Sequence, residues 1–208
     1  MHKLTLWQWN LCGWYVWMIV WGIAAVRRKP DKAVEPLANR LAYALLLALG
    51  FALLFSRSLP LGPLRARFAP QTEWLQLVGL TVMYIGVALA IWARITIADN
   101  WSGRITVKVG HQLVTSGPYA FVRHPIYTGL LVCATGSALQ VGEWRGLVAI
   151  PIVAFGCIVK AKKEERYMNT EFGERYSEYR RRTGFLVPRF LSTSQMDRAN
   201  GHSSQAGA

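Results

Sequence analysis

His111–Gly129 reads HQLVTSGPYAFVRHPIYTG, a stretch that passes from a polar loop into an apolar helix. Gly117-Pro118 marks a turn, and Pro125 suits the first position of a helix, where its missing N–H costs nothing. Arg123 and His124 stand just ahead of that helix, where Ser, Thr, Asp or Asn would ordinarily cap it. The first-turn N–H groups are therefore expected to lack a side-chain acceptor. They carry the positive end of the helix dipole beside a permanent cation, a place that suits an anionic group of a ligand. The alternative is that Arg123 meets a lipid phosphate and His124 marks a membrane interface, since basic residues commonly flank spanning helices.

Outward from this stretch, the 208 residues are 52% apolar and only 17% charged, with nine Trp and a positive mean hydropathy. That is too apolar for an ordinary soluble domain and points to the membrane. A net charge of +13 raises the question of nucleic acid. The basic residues, however, flank apolar runs instead of forming a stripe with interleaved aromatics. Membrane lipids with anionic headgroups are the expected counterpart, and no nucleic-acid partner is expected. Cys12, Cys133 and Cys157 lie in apolar segments without metal or redox spacing, so neither a metal site nor a disulfide is expected.

The expected fold class is an all-α integral membrane protein with about five transmembrane helices, at roughly 7–26, 41–57, 74–93, 126–141 and 146–160. A cytosolic C-terminal helical segment completes it. Residues 1–190 form a single domain, and 191–208 form a small, polar, disordered tail. Gly22-Ile23-Ala24 resembles a signal cleavage site, but Arg27-Arg28-Lys29 follows at once in stop-transfer style, so the first segment reads as a retained span. Gly79 and Gly86 lie seven apart on one face of the third segment, where another helix can approach closely. Gly142-Glu143-Trp144-Arg145 makes a hairpin turn between the fourth and fifth. With five spans, one side holds only Lys3, Arg57, Arg65, Arg67 and Arg145 of the 24 basic residues. The positive-inside rule then puts the polar 94–125 insert and the tail together on the cytoplasmic face of a multi-pass protein.

The tail carries the second half of a candidate site. In a helix from Lys160, the positions Ala161, Glu165, Met168, Phe172, Tyr176 and Tyr179 fall on one stripe. A carboxylate in such a stripe needs a cation or a hydrogen-bonding ligand. Glu164 lies beside it, on the side of Lys160 and Tyr167. The bland alternative is a solvated surface on which Lys162, Lys163 and Arg166 neutralise both glutamates. Gly173, Thr183 and Gly184 are expected to break this helix, and Phe185–Pro188 to fold back on the membrane surface.

HQLVTSGPYAFVRHPIYTG followed by KAKKEERYMNTEFGERYSEYRRRTGFLVPRF resembles the isoprenylcysteine carboxyl methyltransferase family of integral membrane enzymes. The resemblance covers roughly residues 101–188, and the earlier segments match only in hydropathy. It implies S-adenosyl-L-methionine as methyl donor, bound where the cytosolic ends of the last two spans meet the tail. Carried over by position, the cofactor contacts are His111, Gln112, Leu113, Val114, Tyr119, His124, Pro125, Ile126, Tyr127 and Glu164. Lys160 stands where the eukaryotic enzymes have an Arg linked to substrate, and an ammonium lacks the fork that grips a carboxylate. Arg104 stands where those enzymes have an uncharged cofactor contact, so that role is not transferred.

The residues themselves agree with this picture. No G-x-G-x-x-G occurs and no stretch is left for a separate Rossmann domain, so a nucleotide-like cofactor has to lie among helix ends and loops. Its carboxylate would suit the helix start with Arg123 or His124, and its ammonium or ribose hydroxyls would suit Glu164 or Glu165. Arg123 and Lys160 are the catalytic candidates. The acceptor is expected to be a lipophilic small molecule or lipid: a prenylcysteine-like carboxylate, another small hydrophobic acid, an amine or a thiol. Two other functions compete. An NADPH-dependent reductase of sterol-reductase-like architecture would want basic residues where Glu164 and Glu165 stand. A non-enzymatic membrane scaffold would use the motifs for packing and headgroup contact.

Overall fold

A computed structural model describes residues 5–26, 37–56, 59, 62–97 and 113–189, and among them every regular element is helical. The α-helices are α1 (Leu6–Val26), α2 (Leu37–Phe55), α3 (Glu73–Ile97), α4 (Pro125–Val141), α5 (Trp144–Phe172) and α6 (Glu174–Arg182). α3 and α5 are long and apolar enough to cross a membrane, while the apolar stretches Arg40–Phe55 and Pro125–Val141 are shorter. The expected tail 191–208 lies outside the described residues.

The largest departure from expectation is α5. The fifth span, expected to end near 160, and the charged helix expected to start at Lys160 are one continuous helix from Trp144 to Phe172. Its apolar half passes into KAKKEER without a breaker, and Ala, Lys, Glu and Arg are all good helix formers. Gly173, at φ 52°, ends it in a conformation that favours glycine, and α6 follows. Because α5 is unbroken, the carboxylates of its charged half are held rigidly relative to the bundle. α2 begins earlier than the span expected from 41, and α3 runs on past 93 to Ile97.

The closest packing is between α3 and α4. Gly79 and Gly86 of α3 face Gly136 and Gly129 of α4. A Cβ added at Gly79 would stand 2.7 Å from the Gly136 carbonyl, and one at Gly86 would stand 2.6 Å from that of Gly129. Such small-residue faces let two backbones touch. Around them Trp14, Met83, Val87, Leu130, Cys133, Val153 and Cys157 form one apolar cluster. Leu53, Leu54, Ala134, Ala138, Val141 and Ala149 form another. Between the helices, Trp14 Nε1 donates to Ser137 Oγ at 3.0 Å and Ser137 Oγ donates to Asn10 Oδ1 at 3.1 Å, a buried polar link from α4 to two side chains of α1.

Arginines close helix ends, where the last carbonyls have no partner within the helix. Arg94 Nη2 donates to Ala24 O of α1 at 2.9 Å. Arg145 Nη1 donates to Leu53 O at 2.8 Å and Ser56 O at 2.7 Å at the end of α2, while its Nε pairs with Glu143 at 2.6 Å. These contacts fix the bundle's two ends. One gathers the C-termini of α1 and α3, the start of α4 and the charged half of α5. The other gathers the end of α2 and the α4–α5 turn, where Gly142 takes φ 64°. The outer faces are apolar: Tyr15, Met18, Ile19 and Ile23 on α1, Leu41, Leu45 and Leu49 on α2, Ile85 and Trp92 on α3, and Phe155 on α5 are all exposed.

Candidate active site

α4 begins at Pro125 with His124 at its N-cap, and no side chain caps it. A 3-10 turn, Gly117–Ala120, leads in, with Gly117 at φ 58°. After α6 the chain turns back at Thr183-Gly184 and lies along residues 121–124 as a strap. Arg123 N–H donates to Gly184 O at 2.9 Å, His124 N–H to Phe185 O at 3.2 Å, and Gly184 N–H to Phe121 O at 3.0 Å. Thr128 Oγ1 donates to Leu186 O at 2.7 Å. A side chain at Gly184 would run into the Val187 carbonyl, so the turn needs glycine. The buried Tyr179 hydroxyl, pushed up to about 12 by burial, stays protonated and donates to Tyr119 O at 2.7 Å. The expected fold-back thus lands on the start of α4, and its carbonyls already occupy the N–H groups of Arg123 and His124.

Two carboxylates from α5 meet this assembly. Glu165 Oε1 pairs with Arg123 Nε at 2.5 Å, both side chains being nearly buried, and Arg180 Nε approaches Glu165 Oε2 at 3.8 Å. Arg123 Nη1 also donates to Thr183 O at 2.5 Å and Arg180 O at 3.3 Å, closing the end of α6. The cation expected to await a ligand or a lipid phosphate is therefore already matched by Glu165 and helix carbonyls. Glu164 Oε1 accepts from Tyr127 OH at 2.5 Å.

His124 sits between the two glutamates, nine-tenths buried. Its Nδ1 is 3.6 Å from Glu164 Oε2 and its Nε2 is 3.5 Å from Glu165 Oε1. Those separations are long for hydrogen bonds, and Nε2 is a buried atom without a hydrogen-bond partner. The ring stacks on Tyr127 at 5.6 Å and meets Phe185 edge-on at 5.1 Å. Burial works to lower the imidazole pKa, but the attraction of the facing Glu164 and Glu165 carboxylates outweighs it, and the pKa is raised. The Lys160 ammonium lies 5.6 Å from the Tyr127 ring and 5.4 Å from that of Tyr43 on α2.

The structure thus brings Arg123, His124, Tyr127, Glu164 and Glu165 together, with Lys160 one ring away. Pro125 is fully buried at the start of α4, with Ile126 half-buried beside it. Tyr119 is buried under α6, and Leu113 and Val114 are half-buried on the approach to the turn. His111 and Gln112 lie outside the described residues. Tyr43, Phe185, Arg180 and Thr183 were not expected in the cluster. Tyr43 carried a signal, being the lone polar-tipped aromatic in the aliphatic run of α2. Among the described residues no group of three or more His, Cys, Asp or Glu side chains is placed to hold a metal ion.

Residues 74–175, which span α3 to the start of α6, match the phospholipid methyltransferase family model. Protein-S-isoprenylcysteine O-methyltransferase B of Arabidopsis thaliana is 31% identical over 121 residues, covering 57% of this chain and 61% of that protein. Cobalt-zinc-cadmium resistance protein CzcN of Cupriavidus metallidurans is 35% identical over 118 residues, covering 56% of this chain and 52% of the relative. The structure of the eukaryotic intramembrane Ras methyltransferase ICMT (isoprenylcysteine carboxyl methyltransferase) superposes with a TM-score of 0.52 at 24% identity, over 71% of this chain and 52% of that one. At that identity the likeness is one of fold. The chain spans about half to three-fifths of the length of these relatives. Over about half of its length, then, this chain is similar in sequence to phospholipid and isoprenylcysteine methyltransferases, and it shares the helical fold of the Ras methyltransferase.

Proposed function

We propose that this chain is a membrane methyltransferase that uses S-adenosyl-L-methionine to methylate a lipophilic acceptor. The observation that carries the reading is the pair Glu164 and Glu165 gathered around His124, whose Nε2 is buried without a hydrogen-bond partner. A buried polar atom in that state is costly unless a ligand completes it. S-adenosyl-L-methionine brings an ammonium and a sulfonium against a single carboxylate, so a site rich in carboxylates fits it better than it fits a phosphorylated dinucleotide. When bound, it would supply an electrophilic methyl group.

Glu164 would hold the cofactor's cationic end, with Tyr127 fixing the carboxylate through its hydroxyl. His124 would complete a polar contact through Nε2, and Leu113, Val114, Tyr119 and Ile126 would form the walls. Arg123 and Glu165 would act through position, locking the strap to α5 so that this end of the bundle stays closed to water. Lys160, at the boundary between the apolar and charged halves of α5, would attract an anionic acceptor. A carboxylate or thiolate acceptor needs no general base, so alignment and water exclusion remain the protein's work. Good alignment is worth up to roughly 7–11 kcal/mol. The exposed apolar faces of α1, α2, α3 and α5 fit a multi-pass membrane protein whose acceptor arrives through lipid. The concentration of basic residues at the site's end of the bundle supports a cytoplasmic placement of that end.

The test is transfer of labelled methyl from S-adenosyl-L-methionine, by the purified full chain, to prenylcysteine analogues and to simple lipophilic acids, thiols and amines. Label in one of these acceptor classes is expected, and its yield should fall in Lys160→Gln if the acceptor is a carboxylate. A cooperatively folded protein that labels none of them would sink the proposal.

A further inference from the structure

On the outer side of Arg123, α6 and the strap enclose a groove of about 620 Å³. Arg123, Arg180, Arg181 and Arg189 line it together with the hydroxyl residues Ser177 and Thr183, and no carboxylate is among its described lining residues. Arg189 Nη1 donates to Arg181 O at 3.2 Å, which pins the strap across to α6. Arg123 is matched by Glu165 and the α6 carbonyls, but the carboxylates that approach Arg180 and Arg181 neutralise them incompletely. Glu165 is shared between Arg123 and Arg180, at 2.5 and 3.8 Å. Arg181 meets Glu174 in a pair exposed by 65% and 81%, which is worth little in water. Guanidinium forks are phosphate-binding chemistry, and here they act without the Ser177 and Thr183 hydroxyls, which already donate to Gly173 O and Tyr179 O. Beside them, Phe121 and Val187 present apolar side chains 61% and 71% exposed, and the Gly184 N–H bond to Phe121 O keeps the two segments together. Basic side chains next to exposed apolar ones, at one end of an apolar bundle, suit the headgroup layer of a membrane.

We propose that this groove binds the phosphate of an anionic phospholipid headgroup, with Phe121 and Val187 set into the acyl boundary. The proposal rests on the chain being membrane-embedded and not on the identity of the methyl donor. Because Arg180 faces both the groove and Glu165, a lipid phosphate would compete with Glu165 for it and so link lipid composition to the neighbouring cluster.

The experiment titrates phosphatidylglycerol and phosphatidylcholine onto the detergent-purified full chain, reading bound lipid by native mass spectrometry. Parent, Arg181→Gln/Arg189→Gln and a control of equal charge change outside the groove, Arg166→Gln/Arg175→Gln, are compared, with single Arg181→Gln as a milder variant. The parent is expected to prefer phosphatidylglycerol. The preference should fall about five-fold per groove arginine removed, the factor that corresponds to about 1 kcal/mol per basic residue at an anionic surface. Three results would each overturn it: no headgroup preference in the parent, an equal loss in the control, or displacement of the lipid by inorganic phosphate at comparable concentration, which would make the groove a free-phosphate site. S-adenosyl-L-methionine binding, read on the same preparations, separates the two proposals. Its absence would count against the methyl donor and leave the lipid result to stand or fall alone.

Discussion

His124 is held between two carboxylates and two aromatic rings, and its charge depends on which of them prevails. Burial disfavours the imidazolium, but Glu164 and Glu165 win and the pKa rises above the ordinary 6.5. A histidine raised in the folded state contributes stability that is fully present below the unfolded value. That contribution fades as pH climbs through the folded value. The stability of the parent relative to His124→Gln is therefore expected to decline as pH rises from below 6.5, read as thermal unfolding in detergent at a series of pH values. Parallel profiles would show that His124 carries no such charge. Part of this arrangement was legible in the chain. Glu165 falls in an apolar stripe and so requires a partner, and Arg123 was already marked as a cation at a helix start. What could not be read was that they satisfy each other, with Arg123 also closing α6. Tyr43 was missed for a related reason: its meeting with Lys160 depends on how α2 is rotated against α5, which neither segment states by itself.

Among the elements, the α3–α4 contact is the most restrictive. A Cβ at Gly86 would enter the backbone of Gly129 and Cys133 at 2.6 Å, and backbone cannot give way as a flexible side chain can. Gly86→Leu is therefore expected to destabilise by about 3 kcal/mol or more, since even ordinary overpacking costs roughly 1–3 kcal/mol. Gly22→Leu, where nothing lies within 4 Å, should be nearly neutral. Thermal unfolding of both variants in detergent checks this, and equal melting would mean the helices are not in contact through these glycines. The seven-residue spacing of Gly79 and Gly86 announced a close approach. The matching spacing of Gly129 and Gly136 on α4 was equally visible and identifies the partner in retrospect. The continuity of α5 was harder to see. Composition changes sharply at Lys160, and a change from apolar to charged looks like a boundary although the backbone passes through it.

At the scale of the whole molecule, the bundle is apolar outside, polar at buried points inside, and strongly basic at one end. The site lies at that end, where the rigid charged half of α5, the start of α4 and the strap converge. Three arginines, Arg94, Arg145 and Arg123, close the ends of α1, α2 and α6. Three of the chain's 24 basic residues thus serve architecture, while Arg180, Arg181 and Arg189 line the groove beside α6. The central claim is that the Glu164–His124 cluster holds the methyl donor. Its most direct test is calorimetric binding of S-adenosyl-L-methionine to the purified full chain, with Glu164→Gln and His124→Ala alongside. Saturable binding by the parent is expected, weakened ten-fold or more in Glu164→Gln, since a hydrogen bond to a charged group is worth about 1.5–3 kcal/mol. His124→Ala should weaken it similarly. Undiminished binding by both variants, or none by a parent that unfolds cooperatively, would contradict the account.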